Sequence, residues 1–287
     1  MSLVHDQSIP DPTRCAPLVP EQHALMADPA EFDVLYAINP HMRPGTVDRS
    51  RARSQWETLR SALTDLGLQV HVVPAAEGLP DLVFTANQSF PVRDGSNRVL
   101  LSRMAAHQRQ PEVGHVDRFW RQLGCSTEPL EGEAGFEAGG DALWFPGRRL
   151  ILCGVGPRTH RPALTALAEQ TGAPVVALRL QSPDFYHLDT CLCPLDERCA
   201  LYAEGAFSEQ DVSRLYALFP ESVRIPREEA LATFACNGAV VRGHYLVHPG
   251  APTAERAARQ RGLVVRHIDT SEFLKSGGSV TCLHLRF

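Results

Sequence analysis

Ser276-Gly277-Gly278-Ser279-Val280-Thr281-Cys282-Leu283-His284-Leu285-Arg286-Phe287 ends the chain, and both fold and function are read outward from this stretch. Its cysteine lies five residues before the end, behind a Gly-Gly turn and inside an apolar run. The turn frees the backbone, and the run Val280 to Leu285 predicts a strand to anchor it. That is one way to hold a nucleophile at the rim of a pocket. The competing reading is a buried structural thiol, because free cysteine is among the most buried residue types.

Working back from the tail, short apolar runs alternate with helical patterns. Strands are expected at Phe32 to Ile38, Val70 to Val73, Leu82 to Thr85 and Val99 to Leu101. A helix is expected from Asp48 to Leu66, with Trp56, Leu59, Leu63 and Leu66 at 3–4 spacing and Gly67 after it. A second runs from Val113 to Leu123. Leu143 to Phe145 and Leu150 to Cys153 read as a hairpin around Pro146-Gly147, and Pro162 to Thr171 as a helix ending at Gly172. Further elements follow at Ser208 to Leu218, Ala239 to Val247, Thr253 to Gly262 and Val264 to Ile268. The pattern is α/β, and a unit of paired strands, helix and further strand recurs about five times. With no Gly-, Pro- or Ser-rich linker, residues 1–287 read as one domain.

Bulk properties exclude several classes. The 287 residues are 44% hydrophobic and 21% charged, with net charge −5. That is ordinary for a globular protein and offers no basic surface for nucleic acid. No apolar run approaches the roughly 18 residues of a membrane span. The N-terminal segment lacks a signal peptide's apolar core, so the expected location is the cytoplasm and most of the eight cysteines are expected as free thiols. No phosphate-cradling glycine loop occurs.

Several polar residues stand where strands are expected to end. In Tyr186-His187-Leu188-Asp189-Thr190, strand geometry would put His187 and Asp189 on one face; the plain alternative is an exposed rim histidine. Glu137, in Phe136-Glu137-Ala138-Gly139-Gly140-Asp141, is either a solvated loop acid or a carboxylate that orients a histidine. Asp81 and Asn87 are either turn residues or a polar clamp for a planar, nitrogen-rich cation. Arg103 and Arg158 are either surface residues or forks for a substrate carboxylate. Cys191, Cys193 and Cys199 do not match the spacing of a zinc site, and Cys191 and Cys193 read better as small hydrophobes on one strand face.

Together these stretches resemble the guanidino-group-modifying superfamily: arginine deiminases, dimethylarginine dimethylaminohydrolases, arginine dihydrolases and amidinotransferases. The resemblance runs from Ile38-Asn39-Pro40 to the C-terminus. The tail from Asp269 is close to bacterial dimethylargininases. It implies a five-bladed α/β propeller of ββαβ-type units around a central pocket. It also implies Cys282 as nucleophile, His187 as general acid/base and Glu137 as the orienting carboxylate. By the same resemblance, Asp81 and Asp189 bind the guanidinium, and Arg103 and Arg158 hold the α-carboxylate. The pairing of Asn39 with Phe84-Thr85-Ala86-Asn87 resembles arginine dihydrolases, and Asn87 stands where many relatives place an acid. The Gly-Gly turn after Glu137 is a residue longer than in many of them. The implied reaction is hydrolysis of an arginine-like small molecule through an amidino-thioether, without metal or organic cofactor. A homodimer is compatible with the resemblance. Asp189 favours an unsubstituted guanidinium, because N-methyl groups remove donors. Asn87, which both donates and accepts, suits citrulline in a second hydrolysis. Dimethylargininase, amidinotransferase and an inactive amino-acid-binding relative are the alternatives. The Pro-rich stretch from Cys15 to Leu25 is expected to cover the substrate.

Overall fold

The computed structural model describes residues 3–6 and 9–287. After a two-residue strand β1 (Val4–His5) the chain runs through β2 (His23–Ala27), helix α1 (Arg49–Asp65) and β3 (Gln69–Val73). Then follow β4 (Ser89–Pro91), β5 (Arg98–Leu101), α2 (Gln110–Gln122) and β6 (Ser126–Pro129). The next unit is β7 (Ala142–Trp144), β8 (Ile151–Val155), α3 (Ala163–Thr171) and β9 (Val175–Arg179). It is followed by β10 (Leu192–Pro194), β11 (Ala200–Ala203), α4 (Glu209–Leu218) and β12 (Val223–Ile225). The last unit is β13 (Ala239–Val241), β14 (His244–Val247), α5 (Pro252–Gln260) and β15 (Val264–His267), and β16 (Leu285–Arg286) ends the chain.

These strands form five small mixed sheets among the described residues. In each, the middle strand pairs antiparallel on one side and, across a helix, parallel on the other. The first sheet takes its antiparallel partner from the far end of the chain: β16 pairs with β2, Leu285 opposite Leu25, and β3 lies parallel on β2's other side. The sheet of β7–β9 gains β1 as a parallel edge. Parallel neighbours need a crossover, and each helix supplies one.

Helix α1 shows how the sequence makes these units. The Asp48 carboxylate accepts from the Arg51 N–H and caps the first turn. Ala52, Trp56, Leu59 and Leu63 form the buried stripe, and Gly67 leaves the helix at φ +82°. Trp120 on α2 is fully buried and donates its Nε1–H to Ser89 Oγ at 2.9 Å. Truncating such an aromatic to alanine costs about 3–5 kcal/mol.

Four expected strands are not strands. Phe32 to Ile38 is irregular after a 3-10 turn. Its alternation is satisfied by packing without a ladder: Phe32 stacks on Phe273 at 4.7 Å while Leu35 is exposed. Around Leu82, Pro80 starts a 3-10 turn, Pro80–Val83. Leu188–Thr190 is likewise a 3-10 turn, so the shared-face argument for His187 and Asp189 does not apply. Cys282 sits in a turn, and only Leu285–Arg286 pairs as strand. The strand β2 was hidden because its sequence, His-Ala-Leu-Met-Ala, favours helix by propensity; burial between two partner strands overrides that. Part of the expected covering segment Cys15 to Leu25 is therefore a core strand, with Leu25 fully buried.

No helix of the described residues is long and apolar enough to cross a membrane. All eight cysteines are free.

Candidate active site

Each sheet's first strand is preceded by a tight turn, and the five turns carry the polar residues of the site. Asn87 comes before β4, Glu137 and Asp141 before β7, His187 and Asp189 before β10, Asn237 before β13 and Cys282 before β16. Strand pairing fixes where each turn sits, so residues some 200 positions apart meet.

The Cys282 thiol is 2% exposed. It donates to Asp189 Oδ2 at 3.1 Å and accepts from Asn237 Nδ2, also at 3.1 Å. Burial first, and then the Asp189 carboxylate, push the thiol well above its ordinary pKa. Burial also pushes Asp189 up, to about 7, against the hydrogen bonds it accepts from Cys282 and Asn237. Its second oxygen, Oδ1, has no partner among the described residues.

His187 Nε2 and Glu137 Oε2 are 2.7 Å apart and both residues are buried. Glu137 is also held by the Ala105 N–H at 3.0 Å and by Arg158 Nη1 at 3.0 Å. Burial alone would raise the Glu137 carboxyl. The His187 hydrogen bond and the charges of His187, Arg158 and Arg109 outweigh it and hold the carboxyl well below its usual range. Asp141 Oδ1 accepts the Leu188 N–H at 3.0 Å and so pins the peptide that follows His187.

Asp81 is buried, with Tyr36 O–H on Oδ2 at 2.8 Å and Ser276 O–H on Oδ1 at 3.1 Å. Desolvation raises its carboxyl against the pull of Arg109. Asn87 accepts on Oδ1 from Arg109 Nη1 at 2.8 Å, and its Nδ2 has no partner among the described residues. Asn39 donates from Nδ2 to the Ser276 carbonyl at 3.0 Å. With Tyr36 on Asp81 and the Ile38 carbonyl on Arg158 at 2.8 Å, this shows that the segment from Tyr36 to Asn39 lies against the site.

The two arginines are placed differently. Arg158 is 5% exposed, and its fork is engaged by Glu137 and the Ile38 carbonyl while its plane lies 5.2 Å over the Tyr186 ring. Arg103 pairs by backbone with Phe136, next to Glu137. Its half-exposed side chain turns to the loop at Gly132 and Glu133.

Asn237, Arg109 and Glu112 were not singled out from sequence. Asn237 could have been found by position, as the residue two before the first strand of its unit, where Asn87 stands in its own. Arg109 and Glu112, near the start of α2, look like an ordinary helical i,i+3 ion pair and carry no local signal. A cavity of about 320 Å³ has Ala86, Gly139, Gly238 and Thr281 among its lining residues; Ala86, Gly238 and Thr281 each adjoin a turn residue of the site, and Gly139 lies between Glu137 and Asp141. The side chains of Cys282, His187, Glu137 and Asp189 do not line it. Among the described residues, no group of three or more His, Cys, Asp or Glu side chains could hold a metal ion.

Comparison with known proteins identifies the family. The family described as N,N dimethylarginine dimethylhydrolase, eukaryotic, matches residues 38–285. The chain belongs to that family. It is 37% identical over 264 residues to the N(G),N(G)-dimethylarginine dimethylaminohydrolase of Mycobacterium tuberculosis, covering 91% of this chain and 84% of the relative. It is 35% identical over 266 residues to the bifunctional arginine dihydrolase/ornithine cyclodeaminase ArgZ of Synechocystis, covering 91% of this chain but 37% of that protein. The solved N-terminal domain of ArgZ, a cysteine-to-serine variant bound to substrate, superposes with a TM-score of 0.87 at 32% identity, covering 92% of this chain and 97% of that one. An asparagine-to-serine variant of the same domain, covalently bound to a reaction intermediate, superposes with a TM-score of 0.87 at 32% identity, covering 92% of this chain.

Proposed function

We propose that this protein hydrolyses the guanidino group of arginine through a covalent intermediate on Cys282, giving citrulline and, in a second hydrolysis, ornithine. The reading rests most on the Cys282 thiol held between Asp189 and Asn237, beside the buried His187–Glu137 pair. On this reading residues 1–287 are one cytoplasmic domain, and the five sheets are blades of a propeller with the turns gathered about its axis.

In this mechanism a guanidinium donates to Asp81 and to the open Oδ1 of Asp189. Its positive charge offsets the carboxylate that holds the thiol proton in place, so thiolate becomes accessible when substrate is bound. The thiolate forms a C–S bond to the guanidinium carbon. His187, oriented by Glu137, delivers a proton to the departing nitrogen, and ammonia leaves. His187 then takes a proton from water, the water oxygen bonds to the same carbon, the C–S bond breaks and citrulline forms. The second round displaces the remaining unsubstituted nitrogen as ammonia. Water then adds to the same carbon, the C–S bond breaks, and the N-carboxylated ornithine set free loses carbon dioxide to give ornithine. Arg103 and Arg158 are assigned to the substrate's α-carboxylate. Arg158 reaches that role only by sharing its fork with Glu137. Asn39, bonded to the Ser276 carbonyl, keeps the segment from Tyr36 to Asn39 against the bound substrate.

Arginine is favoured over methylated arginine because Asp189 Oδ1 is a buried acceptor waiting for a donor, and N-methylation removes donors at the distal nitrogens. The 37% identity to the mycobacterial dimethylargininase supports dimethylarginine as the second reading. Mass spectrometry of products from arginine, citrulline and dimethylarginine separates the two. Ornithine from arginine supports the first reading; dimethylamine release with arginine untouched overturns it.

A further inference from the structure

The amide of Asn87 can be oriented without ambiguity, which ordinary density or sequence would not allow. Its partner Arg109 Nη1 can only donate, so the atom facing it at 2.8 Å is the oxygen. The NH₂ group must then face the opposite way, toward Gly140. A Cβ added at Gly140 would overlap Asn87 Nδ2 and come within 3.1 Å of His187 Nδ1. Gly140 therefore lies against both the amide donors of Asn87 and the Nδ1 edge of His187, and Asn87 Nδ2 has no acceptor among the described residues.

Arg109 is itself fixed. Its Nε and Nη2 donate to the Glu112 carboxylate at 2.8–3.1 Å, and Nη2 also donates to the Asp81 carbonyl. Gln88, the neighbour of Asn87, donates to the same carboxylate at 2.7 Å. Arg109 is 4% exposed and Glu112 fully buried. This buried pair therefore ties the Asp81 backbone, the Asn87 side chain and the Gln88 side chain into one rigid block.

A guanidinium carries donors only, so the NH₂ of Asn87 has nothing to offer it. An oxygen next to His187 Nδ1 is another matter. It can be the ureido oxygen of citrulline or the oxygen of the water that attacks the thioether carbon. We propose that Arg109 and Glu112 are positioning residues for the second hydrolysis: they lock Asn87 as a donor to oxygen and so bias this enzyme toward completing the conversion of citrulline. This inference rests on the two-step reading above.

The test is the double variant R109M/E112Q, which removes both charges together so that neither is left buried alone and leaves Gln88 an acceptor. Purified enzyme is assayed by mass spectrometry for arginine loss and for the ornithine-to-citrulline ratio, with circular dichroism and thermal melting to confirm folding. With the lock gone, Asn87 is free to present its oxygen. Turnover of citrulline should then fall about 10²-fold, the scale of one lost oriented donor. Arginine loss should fall less than tenfold, so citrulline accumulates. Arg109→Lys, which keeps a cationic donor in the block, should retain more of the second step than the neutral pair. A folded double variant with the wild-type product ratio overturns the positioning role. A wild-type enzyme that makes citrulline but no ornithine overturns the two-step reading and this inference with it. If R109M/E112Q does not fold, the product ratio of Glu112→Gln, which loosens the hold on the Arg109 fork, decides: an unchanged ratio overturns the role and a citrulline-enriched one supports it.

Discussion

Asn237 gives the sharpest test of how the thiol is held. Its Nδ2 donates to Cys282 Sγ at 3.1 Å and to the Asp189 carbonyl at 2.9 Å. Its Oδ1 accepts from the Ser279 N–H at 2.9 Å and the Cys282 N–H at 3.4 Å. Asn237→Ala therefore removes one donor from sulfur and leaves two amides and one carbonyl unpaired in a fully buried place. At about 1–3 kcal/mol for each stranded group, partly relieved by water, the expected cost is ~3–5 kcal/mol. For a chain of this size that lowers Tm by ~6–10 °C, which leaves a folded enzyme at 25 °C where the starting stability is ordinary.

The catalytic effect is separable from that loss. A hydrogen bond to a charged group contributes about 1.5–3 kcal/mol. Without it the thiol's pKa rises by one to two units, because 1.36 kcal/mol corresponds to about one unit. At neutral pH the thiolate fraction, and with it kcat, falls ~10–100-fold. The loss should shrink as pH rises and thiolate is recovered. The assay is the pH profile of kcat at saturating arginine between pH 6 and 10, where the bound cation makes the thiolate accessible, for wild type and variant, at a temperature where both are folded. A folded variant whose rate is reduced by the same factor at every pH refutes the idea that Asn237 stabilises the thiolate.

Cys282→Ser should abolish turnover while arginine still binds, and intact-mass spectrometry should lose any substrate adduct seen on the wild-type enzyme. Glu137→Gln should lower kcat by ~10³–10⁴-fold through the loss of the histidine's orientation. It should also destabilise by about 3–5 kcal/mol, because Arg158 is left buried without its counter-charge; chemical denaturation measures the second effect. The Asp189 carboxyl is raised to about 7, so the folded state holds a proton that the unfolded chain releases near pH 4. Its contribution to stability is present below about pH 4 and is lost as pH rises through 7. Asp189→Asn removes that dependence, so its Tm should change less than that of wild type between pH 5 and 8, and parallel melting curves would contradict the assignment.

How much could be read from sequence follows from how local each signal was. Helix α1 was legible because Asp48, its apolar stripe and Gly67 are all within one segment. The hairpin of β7 and β8 was legible because Pro146-Gly147 marks its turn. The strands at Leu82 and Leu188 were misread because apolar alternation and buried tight turns look alike over four to seven residues, and here Pro80 and the short polar residues settled the matter in favour of 3-10 turns; at Phe32 the alternation belongs to an irregular segment that packs without a strand partner. β2 was missed because only tertiary pairing with β3 and β16 makes a strand of five helix-favouring residues. In the site, Cys282, His187 and Glu137 were legible through the resemblance, and the residues alone left each with a plain alternative. Asn237, Arg109 and Glu112 were not, since their importance lies in whom they touch 3 to 48 residues away.

The position of the cysteine also follows from this long-range pairing. β16 is only two residues long, too short to hold a turn in place by itself. It is held because Leu285 and Arg286 pair with Leu25 and Ala24, Phe287 exchanges backbone hydrogen bonds with His23, and the Phe287 ring packs edge-on against the buried Trp120 at 4.6 Å. The sheet that receives the end of the chain thereby fixes the turn three residues earlier. Sulfur then lies within 3.1 Å of groups from two other units, Asp189 and Asn237. A nucleophile on a frayed terminus would lose the orientation that covalent catalysis needs. Here β16 completes the first sheet, so the contacts that pair it with β2 also order the Cys282 thiol.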